Sequence, residues 1–300
     1  MSKPVNRRNF LKTGTLAGGA AIGLAGLPGS GLQSNLWAAD AEKSPGAPSA
    51  EKLGWRLGCQ AWTFNSYTFF EAIEKTAALG LHFIEAFPGQ TVSKSGSEKF
   101  GAGMSDDARK DVKSKLSDSG VKLVNFGVVG IDGRKTFDFA KEMGIETIVS
   151  EPSEAEMPKL AKLCDEYEIN IAIHDHPKPS HYWNPDTVLK ATKGLSKRVG
   201  ACCDTGHWPR SGLNALECIR KLEGRIISFH FKDLNEKGPK AHDVPWGTGI
   251  NDIKGMMTEV HRQGLKPVFS IEYEYNWTKS MPDLVKCVAY FEKVCKELAG

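Results

Sequence analysis

No Cys-x-x-Cys spacing occurs among the seven cysteines of this 300-residue chain, Cys59, Cys164, Cys202, Cys203, Cys218, Cys287 and Cys295. An odd count without paired spacing gives no disulfide framework. Most of these residues sit among apolar neighbours, where a buried free thiol is the default. The vicinal Cys202 and Cys203 would point to opposite faces of a strand, poorly placed to bridge each other. A Gly-rich phosphate loop is also missing. Cys59-Gln60-Ala61-Trp62 ends the first apolar run instead, which counts against a doubly wound nucleotide-binding sheet. The apolar stretch from Thr13 to about Leu27 is short and glycine-rich for a permanent membrane span, and no stable membrane partner is expected.

An excess of positive charge is the last absence, and it shows once the N-terminus is set aside. Asn6-Arg7-Arg8-Asn9-Phe10-Leu11-Lys12 has the twin-arginine export pattern. The Gly/Ala-rich run follows it, then small residues near Ala38 to Ala41 that suit a signal peptidase. These features predict a twin-arginine signal peptide over 1–41, a Pro/Ala/Ser-rich disordered lead-in over 42–53 and one domain over 54–300, exported to a bacterial periplasm. Without residues 1–39 the Lys+Arg count falls from 39 to 35 against 36 Asp+Glu, so the formal +3 becomes −1. Phosphate binding needs clustered positive charge, so nucleic acid is excluded as a partner. The rest is ordinary globular composition, with enough apolar material for one large core.

From Trp55 onward, short apolar runs alternate with helical patterns. Strands are expected at 55–62, 81–86, 121–129, 146–150, 169–174, 199–204, 225–231 and 267–272. Helices are expected at 69–79, from a cap at Ser105-Asp106-Asp107 to Gly120, and at 136–143, 157–168, 185–193, 214–222, 252–263 and 282–298. The strands are near-continuous apolar runs, as they are when both faces are buried. Eight βα pairs in unbroken alternation predict an α/β fold, a single-domain (β/α)8 TIM barrel. The Gly/Ser-rich stretch 89–104 is too long for a plain connector and is expected to cover the active site.

In such a barrel the chemistry gathers at the C-terminal ends of the strands. There the sequence places Gln60, Trp62, Glu85, Asn125, Glu151, His174-Asp175-His176, Asp204, His207, His230, Lys232, Asp233, Glu272 and Glu274. Adjacent strands lie about 4.8 Å apart, so side chains from strands five to eight can converge on one ion. A single strand-end histidine is ordinarily a hydrogen-bonded polar residue and nothing more. His174, Asp204, His230 and Glu272 in one layer read instead as metal ligands. Their mixed nitrogen and oxygen donors suit divalent Mn, Co or Zn, with Mg also open. Glu85, Glu151 and Asn125 are either site wall or loop caps, and Asp233 is expected to orient a neighbour. The candidate substrate-facing residues are Trp62, Glu85, His176, Trp208 and Trp246, the indoles being able to stack on the C–H faces of a sugar.

Four motifs carry a resemblance: Cys203-Asp204-Thr205-Gly206-His207, Phe229-His230-Phe231-Lys232-Asp233, Val244-Pro245-Trp246-Gly247-Thr248-Gly249 and Ser270-Ile271-Glu272-Tyr273-Glu274. From about Trp55 to the C-terminus the chain resembles the xylose isomerase-like TIM-barrel superfamily, the sugar phosphate isomerase/epimerase group. The resemblance implies that Asp204, His230 and Glu272 bind a divalent metal, that His207 touches the sugar, and that the partner is a small carbohydrate. Epimerases of this family end strand five in a Glu that pairs with the strand-eight Glu as a second base. Here Ile173-His174-Asp175-His176 stands in that place. His174 can still bind metal, but it then has no free lone pair for a proton.

What remains is a metal-polarised ketone or hydroxyl and a base, Glu272 or Glu151, that removes the proton α to the carbonyl. His207 and Lys232 complete the candidate catalytic groups. Return of the proton makes a sugar isomerase or epimerase, the first reading. Loss of a β leaving group makes a lyase, the alternative; some exported chains that resemble this one act on 3-keto-glycosides, where loss of the C2 proton expels the aglycone. A non-catalytic sugar-binding barrel is a third reading, and a homo-oligomer is left open.

Overall fold

The computed structural model describes Ser44 and residues 46–300, and the segment 1–41 expected to be a signal peptide lies outside them. Eight parallel strands close on themselves in sequence order: β1 (Arg56–Gln60), β2 (Phe83–Ala86), β3 (Lys122–Phe126), β4 (Thr147–Ser150), β5 (Asn170–His174), β6 (Val199–Asp204), β7 (Ile226–Phe231) and β8 (Val268–Ile271). β1 is hydrogen-bonded to both β2 and β8. This is the expected single-domain TIM barrel. The helices are α1 (Pro48–Lys52), α2 (Phe69–Ala78), α3 (Asp106–Asp118), α4 (Gly133–Met143), α5 (Met157–Tyr167), α6 (Pro185–Thr192), α7 (His207–Arg210), α8 (Ala215–Lys221), α9 (Ile253–Arg262) and α10 (Met281–Ala299).

Local chemistry explains where the elements begin. Thr68 and Glu71 form a reciprocal capping box at α2, and the Ser105 hydroxyl accepts the Ala108 N–H at α3. Such a cap contributes about 1 kcal/mol. Successive strand side chains face opposite sides, which splits the strands into two cores. Cys203, Ile171 and Phe229 belong to the main core. Val149, Ala172 and Cys202 make a separate small cluster, with Val128 and Ile227 against it. His174 and Asp204 lie two residues beyond Ala172 and Cys202, on the same face of the sheet, so this cluster floors the site.

Three expectations change. The lead-in is not disordered over its described part. Residues 48–52 form α1, where the Ser49 N–H and hydroxyl both donate to the Glu292 carboxylate of α10, at 2.9 and 2.6 Å. Proline at the helix start and burial of Ala50 supply the order that composition alone does not predict. Strand one stops at Gln60, and Ala61–Phe64 turns as a 3-10 helix. The 89–104 stretch folds on itself through a Thr91–Lys99 bridge and buries Val92, Phe100 and Met104. With Trp62 and Phe87 it walls a cleft of about 670 Å³ whose lining includes none of the four ligand candidates. All seven cysteines are buried and free. Among the described residues no helix is long and apolar enough to cross a membrane.

Candidate metal centre and active site

The barrel register brings the four ligand candidates together. Asp204 on β6 pairs with His230 on β7, His174 ends β5, and Glu272 follows β8 directly. Each offers one ligand atom, and the four atoms lie within 4.8 Å of one another. His174 Nε2 is 3.5 Å from Asp204 Oδ2, and His230 Nδ1 is 3.1 Å from Glu272 Oε2. His174 Nε2 and His230 Nδ1 are buried without a hydrogen-bond partner, and each faces a carboxylate oxygen of the quartet. Buried polar atoms are seldom left so, and two at one point beside two carboxylates are explained by a cation.

The opposite nitrogens explain why these ones face inward. His230 Nε2 lies 2.8 Å from Glu85 Oε1, and His174 Nδ1 lies 3.4 Å from Glu151 Oε1. A carboxylate can only accept, so each ring donates there, and in the neutral ring the lone pair lies on the inner nitrogen. Two imidazoles and two carboxylates so prepared fit a divalent metal ion.

A lysine shares the carboxylates. Lys232, fully buried, holds its Nζ within 2.8 Å of Asp204 Oδ2, 2.7 Å of Glu272 Oε2 and 2.8 Å of Glu274 Oε2. Burial opposes its charge, but Asp204, Glu272 and Glu274 outweigh that and raise its pKa well above the ordinary lysine value. Burial likewise opposes ionisation of Glu272 and Asp204. His230 and Lys232 nevertheless hold Glu272 low, and the His207 imidazole and Lys232 hold Asp204 low. Gly206 makes room for this lysine, because a Cβ there would stand 2.8 Å from Lys232 Cδ. Thr205 ties the two strand ends, accepting the Lys232 N–H at 2.7 Å and donating to the Lys232 carbonyl at 2.9 Å.

A second tier of imidazoles lies beside the quartet. His176 Nδ1 contacts Glu151 Oε1 closely, and its ring packs 4.4 Å from that of His174 and 5.3 Å from that of His207. Glu151 also accepts the Ser180 hydroxyl at 3.0 Å. Burial would raise the Glu151 pKa, but hydrogen bonds from His174 and His176 bring it below the ordinary carboxylate value. His207 Nε2 points to Asp204 Oδ2 at 3.4 Å, and burial depresses its pKa well below the ordinary value.

The chain from 73 to 290 matches the family model described as xylose isomerase-like TIM barrel. The chain belongs to this family. A crystal structure of an uncharacterized protein from Parabacteroides distasonis ATCC 8503 is 32% identical, with 79% of this chain and 98% of that one covered and a TM-score of 0.65. A D-tagatose 3-epimerase-like protein is 17% identical over 79% of this chain and 98% of its own, with a TM-score of 0.61. A xylose isomerase-like TIM barrel protein from Mycobacterium smegmatis, in complex with magnesium, is 14% identical over 82% and 98%, with a TM-score of 0.65. The sequence matches no curated protein.

Within the family barrel, several expected roles move. Glu85 does not face substrate. It is buried beneath His230 and accepts from Gln60 Nε2 at 3.0 Å, Asn125 Nδ2 at 3.2 Å and Ser270 Oγ at 2.7 Å as well. Trp208 and Trp246 are 1% and 2% exposed, so neither indole has a face for a sugar. Trp208 sits in the main core, and Trp246 packs on Phe231 and Phe291 at 5.1 and 5.8 Å. Trp62 is 40% exposed and meets Phe87 and Trp277 edge to face. Glu151 is not a free base, because its oxygens are committed to His174, His176 and Ser180. Lys232, held by three carboxylates, is an ammonium. Asp233 does orient a neighbour. It accepts the backbone N–H groups of Leu234, Gly247, Gly249 and Asn251 and pins the 244–251 loop. Sequence reasoning missed Arg210 and Asp243, whose side chains meet behind His207. A histidine and arginine three apart are unremarkable in sequence until a short helix puts them on one side.

Proposed function

We propose that this protein is a metal-dependent carbohydrate isomerase or epimerase that moves a proton next to a carbonyl. The observation that carries the reading is the quartet His174, Asp204, His230 and Glu272, whose two inner imidazole nitrogens are buried without a hydrogen-bond partner. A divalent ion held there would act as a Lewis acid on a substrate oxygen. Around it the chain's own groups divide the proton work. Glu151 takes the Nδ1–H of His176 and leaves Nε2 as the lone-pair nitrogen of a half-exposed imidazole, the arrangement of an oriented general base. Lys232 keeps Asp204, Glu272 and Glu274 from repelling one another. His207 and the exposed face of Trp62 are the candidate sugar contacts. The twin-arginine pattern at Asn6–Lys12 supports export to a periplasm, where free sugars and glycosides are the available carbohydrates.

A second reading, elimination from a 3-keto-glycoside, is favoured by one feature. His176 is an exposed base beside the quartet, while His230 and Lys232 occupy Glu272 Oε2, and an epimerase that works on both faces of one carbon needs two bases. Incubating the protein with free ketoses and with 3-keto-glycosides in deuterated water, followed by NMR, separates the two. Deuterium at C2 or C3 of an intact ketose is expected for the first reading, and release of aglycone for the second. Absence of both products, together with absence of stoichiometric metal after gentle purification, would favour a non-catalytic sugar-binding barrel.

A further inference from the structure

Three histidines, His174, His176 and His207, present ring nitrogens within 4.8 Å of one another, which by residue type alone is a second metal site. One contact behind His207 argues otherwise. Arg210, three residues along α7, places Nη1 3.2 Å from His207 Nδ1. A guanidinium has donors only, so Nδ1 must be the acceptor, and a neutral ring then carries its proton on Nε2. An imidazolium, or a ring binding metal through Nε2, would set an Nδ1–H against the guanidinium N–H.

The arginine cannot readily turn away. The same Nη1 donates to Glu274 Oε2 at 3.1 Å, Nη2 donates to Asp243 Oδ2 at 3.2 Å, and Nε donates to the Ala241 carbonyl at 3.4 Å. Asp243 is itself buried, and its Oδ2 also accepts the Glu274 N–H at 3.2 Å, so the strap from α7 to the strand-seven and strand-eight loops is continuous. The resulting Nε2–H faces Asp204 Oδ2, at the edge of the ligand quartet.

From this geometry we infer that Arg210 is a positioning residue that locks His207 in the Nε2–H form, making it a hydrogen-bond donor to an oxygen of the bound ligand and barring it from the metal. The three histidines then divide by role. His174 is a ligand, His176 an acceptor and His207 a donor. The role of His207 toward substrate rests on the proposed carbohydrate reaction, but its tautomer does not.

The test is long-range ¹H–¹⁵N NMR on ¹⁵N-histidine-labelled protein, with His207 assigned by its loss in His207→Gln and with zinc as the diamagnetic probe. His207 should show an unprotonated Nδ1 and a protonated Nε2 in the metal-free protein, and the same pattern after one equivalent of zinc. His174 and His230 should shift to metal-bound values at the same point. Arg210→Met should raise the Nδ1–H fraction of His207 measurably, Asp204 still facing Nε2, and Arg210→Lys, which keeps a cationic donor, should retain the original pattern. A wild-type Nδ1–H signal, zinc bound at His207, or an Arg210→Met spectrum like the wild type would each overturn the inference. Failure of zinc to shift His174 and His230 would instead refute the metal reading and leave the tautomer result standing. If Arg210→Met does not fold, the wild-type spectrum still decides.

Discussion

Replacing Glu85 by glutamine changes one atom in a position the metal would never touch, and the structure says what should follow. Glu85 Oε1 takes Gln60 Nε2 and His230 Nε2, and Oε2 takes Asn125 Nδ2 and Ser270 Oγ. An amide has one oxygen. If it keeps the Oε1 side, its NH2 faces Asn125 and Ser270. Both can adapt: a hydroxyl rotates, and the Asn125 amide can flip to present Oδ1, which is buried and unpartnered now. Folding should therefore survive with a loss of about 1–2 kcal/mol, the cost of exchanging a charge-assisted bond for a neutral one. The larger effect should fall on the metal. His230 would donate to an amide instead of a carboxylate, which lowers the basicity of Nδ1. Loss of such an outer partner costs about 10–100-fold in metal affinity, or about 1.4–2.8 kcal/mol. Calorimetric titration with Mn or Zn measures it, alongside thermal unfolding of the metal-free form. Affinity within threefold of wild type, in a folded protein, would show that Glu85 does not set the state of His230. The assignment of Nδ1 as ligand would go with it.

Other outcomes follow from the same geometry. His230→Ala should abolish turnover and bound metal together; activity surviving metal loss would refute the quartet. Burial works against protonation of His174 and His230, but Asp204 and Glu151 around the first, and Cys202, Glu272 and Glu85 around the second, raise both pKa values in the metal-free chain. A metal must expel those protons, so its affinity should weaken as pH falls and strengthen as pH rises through the raised values, by about one log unit per pH unit for each proton displaced. Titration at about pH 6 and 8 with no change in affinity would contradict this. Trp208→Ala should cost about 3–5 kcal/mol of stability, as a core truncation does. Trp62→Ala should leave stability nearly unchanged and raise KM severalfold at similar kcat, the signature of lost uniform binding. The reverse pattern would restore Trp208 as the substrate platform.

What could be read from sequence, and what could not, divides along depth. Asp204, His230 and Glu272 were legible because each ends an apolar run, and a closed parallel sheet forces the ends of consecutive runs to converge. Glu85 and Glu151 end such runs too, yet one lies under the ligands and the other beside them. A register shift between Ile84 and Glu85 sets Glu85 opposite Asn125, and no sequence pattern encodes that shift. The indoles failed for a related reason. Trp208 follows the strand-six motif by position, but it belongs to the four-residue α7, too short to show a helical period and folded back so that the ring enters the core. That same turn sets Arg210 behind His207. Sequence thus yields which residues reach the rim of the barrel. Whether each becomes a ligand, an acceptor or a donor depends on what stands behind it: Glu85 behind His230, Glu151 behind His174 and His176, and Arg210 behind His207. Two carboxylates and a guanidinium impose different proton positions on chemically identical rings, so the reaction available to this barrel is written in that outer layer as much as in the metal ligands.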